Sequence, residues 1–458
     1  MAGGCLLSAV CSLQSAIGFP HTIPPMLLPR SAISALEMRL GVPSRAFRVV
    51  TVSLDLDPLD LVRSGASAFG FAGFFASPEG RSIGGIGAAR RFSSSGSGRL
   101  LAIDAPTRDL GAGATLLVGF GFDDEEPSGA EWDGFAPAAA VVPEVTVIRE
   151  GGESHLVMAV PPGSDGAALL TLLSTLERPT PIADAGEADE EVEARPAPSD
   201  YVGRVDEAVG AIKGGSLAKV VLARSVVVRR TLPIDAFAVV ARLRAAHPSS
   251  WVFGWQEGDG VFVGASPELL VARRGEHVHL SPLAGSAPRS TDAEQDRRLG
   301  DALLASAKDR SEHELVITDA MHRLTPLVSG LHRAPTPQLL RFPSVQHLAT
   351  PISGVTSARI LELAAALHPT AAVGGVPRGE AQRFIARAET IERGWYAGGI
   401  GWADDTGDGE FAIGLRCALL RGDTAVAYAG SGIVADSLPT AELEETRLKL
   451  RPMLDLLT

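Results

Sequence analysis

Residues 309 to 320, DRSEHELVITDA, place Asp309, Glu312, His313 and Glu314 within an otherwise apolar stretch. His313-Glu314 opens the zinc-protease pattern H-E-x-x-H, but Ile317 stands where the second histidine must be. A metal bound here is therefore held by carboxylates, a donor set suited to Mg2+ rather than zinc. A second carboxylate set lies in AELEETRLKL. There Glu442, Glu445 and Lys449 follow at spacings of three and four and share one helical face, while Leu443, Leu450 and Leu454 recur on the other. Taken alone, that charged face reads as a solvated surface with ion pairs along the helix. Asp309 and Glu312 share a face in the same way. Two helices that each offer a carboxylate pair are able to clamp one Mg2+, with water and substrate completing an octahedron.

Other positions carry chemistry that depends on their surroundings. Lys219, in AKVVLARS, opens a run of apolar and small residues. It either ends a strand and reaches for water, or is a desolvated amine able to act as a general base. Glu268, in VGASPELLV, follows a Ser-Pro turn inside an apolar strand. It either caps the turn or stays protonated and donates. Arg416, in GLRCA, falls on an expected core strand, where an unpaired guanidinium is costly. It meets a structural carboxylate or grips an anionic ligand in bidentate fashion. His347, in FPSVQHLAT, sits among apolar residues, as a satisfied core histidine or as a catalyst. In YAGSGIVADS, Gly430, Ser431 and Gly432 follow a strand and let backbone N–H groups approach an anion. No G-K-[ST] follows, so this is not a P-loop.

The rest of the chain must supply elements that bring these groups together. Its 458 residues suffice for two to three domains or one large α/β or α+β body, and 45% apolar with 21% charged residues is ordinary for a large core. A net charge of −13 argues against sequence-independent binding to nucleic acid or to an anionic membrane. Cys5, Cys11 and Cys417 form no C-x-x-C and no disulfide framework, which favours a reducing, cytoplasmic setting. Residues 1 to 29 carry no Lys, Arg, Asp or Glu, lack the basic start of a signal peptide, and contain Pro20, Pro24 and Pro25, which break a spanning helix. Residues 1 to 45 are read as a disordered extension, or as the product of a start placed upstream of Met26 or Met38. No other apolar run reaches membrane length.

Residues 46 to 181 read as mixed strands and turns, with RAFRVVTVSLDL, GATLLVGFGFD and EVTVIREGG as strands and FSSSGSGRL (92 to 100) as a flexible loop. Residues 182 to 200, acidic and rich in Pro and Ala, read as a linker or surface loop. From 201 to 458 the pattern tightens. YVGRVDEAVGAIKGG is a helix, KVVLARSVVVRR a strand, PIDAFAVVARLRAAHP a helix, and WVFGWQEGDGVFVGASPELLV two strands around a Gly-Asp-Gly turn. One helix is expected from about Thr291 to Leu324, and another near 357 to 367 before a glycine turn at 373 to 379. GEFAIGLRCALLRG and TAVAYAGSGIV are then strands, and Pro439 to Leu457 a last helix.

Taken in order, KVVLAR, GASPELL, PLAGSAPR, KDRSEHELV, VQHLATPI, HPTAAVGGVPR, GWYAGGIGW, GLRCALL, AGSGIVADS and ELEETRLKL resemble the chorismate-utilising enzymes, over about residues 200 to 456. That superfamily includes isochorismate synthase, salicylate synthase and the large component of anthranilate synthase. The resemblance implies an α+β fold of two large antiparallel sheets packed face to face with helices outside, to which the residues before 182 contribute. It implies Mg2+ ligation by Glu312 and Glu445 with Asp309 and Glu442 beside them; Asp309 departs from the more usual Glu. It further implies that Arg416, Tyr396, Lys449 and the backbone of Gly430, Ser431 and Gly432 hold the two carboxylates of chorismate, with His347 near its ring.

Lys219 resembles the base of the members that add water at ring C2, whereas ammonia-using relatives carry a non-basic residue there. The implied roles are Lys219 taking a proton from that water and Glu268 protonating the departing C4 hydroxyl, to give isochorismate. Salicylate synthase shares both residues and then eliminates pyruvate; it typically has Thr where this chain has Ala372. Anthranilate synthase fits less well, since there is no LLES motif near the N-terminus, and no glutamine amidotransferase subunit is expected. A non-catalytic chorismate-binding subunit is the remaining alternative. The product would serve menaquinone or siderophore synthesis, and the long N-terminal region resembles the menaquinone enzymes.

Overall fold

A computed structural model describes residues 25–41, 44–182 and 190–457. Its β-branched and aromatic runs form antiparallel strands in three sheets. The 12-stranded sheet begins with Arg48–Ser53, Glu153–Val160, Val145–Glu150, Ser82–Ile86 and Ala72–Ala76. It continues through Trp251–Glu257, Gly260–Ser266, Cys417–Arg421, Thr424–Ile433, Lys219–Arg230 and Gly375–Val376. The 9-stranded sheet takes Arg90–Ser94, Ala138–Val142 and Thr115–Phe120 from the N-terminal part and joins them to Gly399–Asp404, Gly409–Ile413 and Leu269–Arg274. The expected α+β fold with two large antiparallel sheets is therefore present, and both sheets draw strands from both parts of the chain. Ala76 opposite Val252 and Phe120 opposite Gly399 are two of the seams.

An aromatic layer fills the core that both sheets share. Trp395 packs edge-on to Phe135 at 5.3 Å and lies 5.1 Å from Trp255 between ring centroids, and Trp132 stands 5.6 Å from Phe262. Gly119 admits the Trp395 ring, because a Cβ there would lie 1.9 Å from it. The chain passes from the 12-stranded to the 9-stranded sheet at Pro267-Glu268, and back again at Gly414 to Arg416. Arg416 makes its crossing with a left-handed backbone, φ 50°, a conformation that costs a non-glycine residue roughly 1–3 kcal/mol and is retained where the surroundings enforce it.

Several expectations need correction. Residues 25 to 41 are ordered: Arg30–Leu40 is a helix that buries Ala32, Leu36 and Leu40 at every fourth position, and Leu27 donates its N–H to Leu176. The rest of the expected extension, residues 1 to 24, lies outside the described residues. The expected linker is in part a strand, Glu190–Arg195, paired with Lys219–Arg230, and Pro198 already begins the Pro198–Lys213 helix; residues 183–189 lie outside the described residues. The acidic composition read as a linker is that of a charged edge strand, in which Glu193 bridges Arg195 and Arg229. Residues 92 to 100 divide between the strand Arg90–Ser94 and the helix Arg99–Asp104.

The helix expected over Thr291 to Leu324 is two, Ala293–Ala305 and Ala307–Leu324, because Ser306 turns extended and caps the second by accepting from the Asp309 N–H. GEFAIGLRCALLRG is two strands, in different sheets, split at Gly414 to Arg416. The glycine turn at 373 to 379 contains the short strand Gly375–Val376 and opens the helix Arg378–Ala388. A three-stranded sheet of Leu283–Pro288, Val345–Ala349 and Gln338–Arg341 was not anticipated. Among the described residues no helix is long and apolar enough to cross a membrane.

Leu36→Ala tests whether the first helix belongs to the core. Its side chain is fully buried, so the substitution is expected to lower the unfolding free energy by roughly 2–5 kcal/mol in a urea titration; an unchanged midpoint would show that this helix is not packed.

Candidate active site

Lys219 and Glu312 meet where the Lys219–Arg230 strand faces the Ala307–Leu324 helix. The lysine Nζ lies 3.0 Å from Glu312 Oε1, and both side chains are almost wholly buried. Lys219 is thus not a strand-end charge reaching for water; it points into a cavity that Glu268, His347, Ala372, Tyr396, Arg416, Glu445 and Lys449 also line. Gly432 makes the contact possible, since a Cβ there would come within 2.3 Å of Glu312 Oε1. Gly430 likewise gives way to the Tyr396 hydroxyl, 2.8 Å from where its Cβ would be.

The glycine-rich segment lies within the Thr424–Ile433 strand, as TAVAYAGSGIV was expected to form. Val221 and Ala223, opposite Gly432 and Gly430, send their N–H groups away to Gly374 O and the Glu389 carboxylate. In an antiparallel ladder this turns the backbone groups of Gly430 and Gly432 outward as well. The Cys417–Arg421 strand on that side stops opposite Tyr428, and Lys449 Nζ donates to Gly430 O at 3.0 Å. Ser431 faces the other way, its hydroxyl 2.8 Å from the buried Tyr201 hydroxyl. Its side chain does not line the cavity; the substrate contact expected from this position is one of backbone.

Glu268 sits at the first sheet crossing. Its Oε1 accepts the Leu283 N–H at 3.2 Å. Burial pushes its carboxyl up to about 7, against the Leu283 hydrogen bond and the nearby Lys219, Arg416 and Lys449 charges. It is an acid able to hold its proton near neutrality. Arg416, at the second crossing, is buried, and burial holds its guanidinium below the usual range. Among the described residues no carboxylate forms an ion pair with it; its Nη2 lies 3.4 Å from His347 Nε2. His347 is held neutral by burial and by the charges of Arg416 and Lys449. With Nδ1 3.2 Å from Gly285 O, the fitting tautomer carries the proton there and turns the Nε2 lone pair to Arg416. His347 is a buried, hydrogen-bonded histidine on the cavity wall.

The carboxylates come together as two pairs, each answered by lysine. Lys449 lies 2.6 Å from Glu445 and Lys308 3.1 Å from Glu442. Burial raises the Glu445 carboxyl, but Lys449, Lys308 and a hydrogen bond from Ser286 more than offset it and leave it below the ordinary range. Burial and the Glu445 charge hold Glu442 above it. The face expected to be solvated is therefore buried at Glu442, 1% exposed. Glu442 and Asp309 do not line the cavity; Asp309 packs beside Gly285, which does. Glu442 Oε2 is buried without a hydrogen-bond partner among the described residues, and an all-carboxylate donor set of this kind fits a hard dication. With the lysines in place, no group of three or more His, Cys, Asp or Glu among the described residues is close enough together to hold one ion.

His313 and Glu314 take no part in the cavity. His313 is buried with Nε2 2.7 Å from Thr350 Oγ1, and Glu314 pairs with Arg333 on the surface. Sequence reasoning missed Ser286, whose hydroxyl lies 3.1 Å from His347 Nδ1, and Lys308. Both stand inside quoted motifs, PLAGSAPR and KDRSEHELV, where their charge or hydroxyl was the available signal.

Glu268 makes stability depend on pH. The unfolded chain releases this proton near 4.5 and the folded chain near 7, so its contribution is fully present below pH 4.5 and is lost as pH rises through 7. Glu268→Gln keeps an acceptor for Leu283 and removes the charge. It is expected to be more stable than the unsubstituted protein at pH 8.5, by on the order of 2 kcal/mol, with the gap closing by pH 4.5. Thermal unfolding at both pH values checks this; an equal gap would contradict it.

Comparison with known proteins identifies the family of the chain. A family model described as chorismate binding enzyme matches residues 42–458. The salicylate biosynthesis isochorismate synthase of Pseudomonas aeruginosa is 39% identical over 358 residues, 75% of this chain and 74% of that protein. Isochorismate synthase MenF of Bacillus subtilis is 38% identical over 352 residues, 75% of each chain. The structure of the menaquinone-specific isochorismate synthase MenF of Escherichia coli matches with a TM-score of 0.84 at 27% identity, over 94% of this chain and 99% of that one. Anthranilate synthase component I of Streptococcus pneumoniae, at 22% identity and a TM-score of 0.64 over 98% and 97% of the two chains, shares the fold. By sequence match over nearly its whole described length, this chain belongs to the family of chorismate-binding enzymes.

Proposed function

We propose that the chain is an isochorismate synthase, an isomerase that interconverts chorismate and isochorismate. The observation that carries the reading is the presence in one cavity of an amine, Lys219, and a carboxylic acid, Glu268, that keeps its proton to about pH 7. Water attacks C2 of the ring and gives a proton to Lys219; the ring double bond shifts, and the C4 hydroxyl leaves as water with a proton from Glu268. One water enters and one leaves, so the product is an isomer. For Lys219 to accept a proton it must leave its contact with Glu312. The names of the relatives support the same reaction, and they include both menaquinone and 2,3-dihydroxybenzoate enzymes. The product accordingly feeds menaquinone or a catechol siderophore, in a cytoplasmic enzyme.

Arg416 supports a dianionic substrate, as a buried guanidinium without a carboxylate of its own that faces the cavity. Lys449 and the outward N–H groups of Gly430 and Gly432 add donors, and Tyr396 and Ala372 complete the wall. Glu312 and Glu445, with Asp309 and Glu442 beside them, would hold Mg2+, which when bound neutralises the ring carboxylate and the charge of the carboxylates around it. Water is the nucleophile in this scheme, so no amidotransferase partner belongs to it.

Salicylate synthase is the second reading, since it uses the same acid and base before eliminating pyruvate; Ala372 on the cavity wall favours the first. Chorismate incubated with the protein, with and without Mg2+, is expected to give a Mg2+-dependent mixture of chorismate and isochorismate by chromatography, without pyruvate. Salicylate with equal pyruvate would establish the second reading, and no product would leave a binding role. Lys219→Ala and Glu268→Gln are each expected to lower kcat by about 10²–10⁴-fold while chorismate binding stays measurable by calorimetry; full activity in either would refute the acid–base assignment. Forward activity is expected to decline above about pH 7 as Glu268 loses its proton.

A further inference from the structure

We propose that Arg393 is a positioning residue for this reaction, acting with Glu389 as a substitute for a missing strand beside the base Lys219. The inference rests on the isochorismate synthase reading. Among the described residues, the Lys219–Arg230 strand has a neighbour on its outer side in two places: Gly375–Val376 pairs with Lys219 and Val220, and Glu190–Arg195 pairs with Ser225 to Arg230. Between them, with the Val221 N–H taken by Gly374 O, the outward Val221 carbonyl and Ala223 N–H would be left unpaired in the interior, each costly if unsatisfied.

The Arg393–Glu389 pair occupies that gap. Arg393 Nη2 donates to Val221 O at 2.8 Å, and Glu389 Oε1 accepts the Ala223 N–H at 2.7 Å. The guanidinium also donates through Nη1 to Val373 O at 2.9 Å, and through Nε and Nη2 to the two Glu389 oxygens at 2.8 and 2.6 Å. Its plane lies 4.1 Å from the Phe122 ring centroid, with Tyr396 at 5.9 Å. Both charges are buried, at 2% and 6% exposure of their side chains.

A buried ion pair is weak evidence for added stability, because desolvation cancels much of the attraction. Its geometry here points to another use. Val221, Val373 and Tyr396 all line the cavity, while Arg393 itself does not. Val221 stands two residues from Lys219 on the same face of the strand, Val373 follows Ala372, and Tyr396 lies three residues beyond Arg393. One guanidinium therefore fixes the strand of the base, the loop of Ala372 and the turn of Tyr396 relative to one another. Only arginine has the planar fork of donors to do so; a lysine ammonium is a point charge with three donors and cannot reach both carbonyls and both carboxylate oxygens together.

The test is Arg393→Lys, with Glu389→Gln as the second variant and Leu36→Ala as a control for loss of stability remote from the cavity. Folding is followed by circular dichroism and thermal unfolding, turnover by isochorismate formation, and chorismate binding by calorimetry. Arg393→Lys is expected to fold and to lose about 10- to 100-fold in kcat, with a rise in Kd of only about threefold, since a misplacement on the order of 1 Å suffices for such a loss. Leu36→Ala is expected to keep its kcat. A folded Arg393→Lys with kcat within twofold of the unsubstituted protein overturns the proposal, whatever its melting temperature. If Arg393→Lys does not fold, Glu389→Gln decides by the same criterion, and failure of both to fold assigns the pair to the fold and overturns the positioning role. Absence of turnover in the unsubstituted protein would sink the isochorismate synthase reading separately. The clamp is then judged on chorismate Kd alone, with an unchanged value in Arg393→Lys counting against it.

Discussion

The site depends on how charge is made tolerable between two sheets. A lone ammonium or carboxylate in such a place is prohibitively costly, and pairing is the remedy. The Lys219–Glu312 contact applies it directly, joining a strand near the sheet edge to a helix across a strand whose Gly432 has no side chain to keep them apart. Lys308 with Glu442 joins two helices in the same way, and Lys449 with Glu445 pairs within the last helix.

Two charged or ionisable groups stand outside that scheme. Glu268 avoids the cost by keeping its proton, and Arg416 is left facing the cavity with a neutral histidine beside it. On the isochorismate synthase reading proposed above, an unspent acid and an unanswered guanidinium are the groups a dianionic, hydroxylated ring would use. Their exemption from pairing is what separates a reactive cavity from a merely salt-bridged one.

Much of this was legible in the sequence. Spacing alone placed Glu442, Glu445 and Lys449 on one helical face, and apolar surroundings marked Lys219 and Glu268 as unusual. What the sequence hid was three-dimensional. Glu190–Arg195 looks like a linker because an edge strand is charged for the same reason a linker is, namely contact with water. Arg416 looks like the middle of a strand because nothing in GLRCA announces a left-handed residue and a change of sheet. The glycines at 430 and 432 suggested close approach of an anion, and they also admit Tyr396 and Glu312 against the strand. Nor does local sequence show that Ser431 turns from the cavity to Tyr201.

The two sheet crossings bear on how the site is held. Glu268 and Arg416 lie where the chain steps from one sheet to the other, and they are not carried on free loops. The distance between the acid and the guanidinium is thus a gauge of the spacing between the sheets, which the layer of Trp132, Trp255, Phe262 and Trp395 sets. Close-packed interiors deform little and transmit what strain they receive. A change of ring size in that layer, far from any reacting atom, would be read at the cavity as a change of reach, so the aromatic core acts as the calibration of the chemistry.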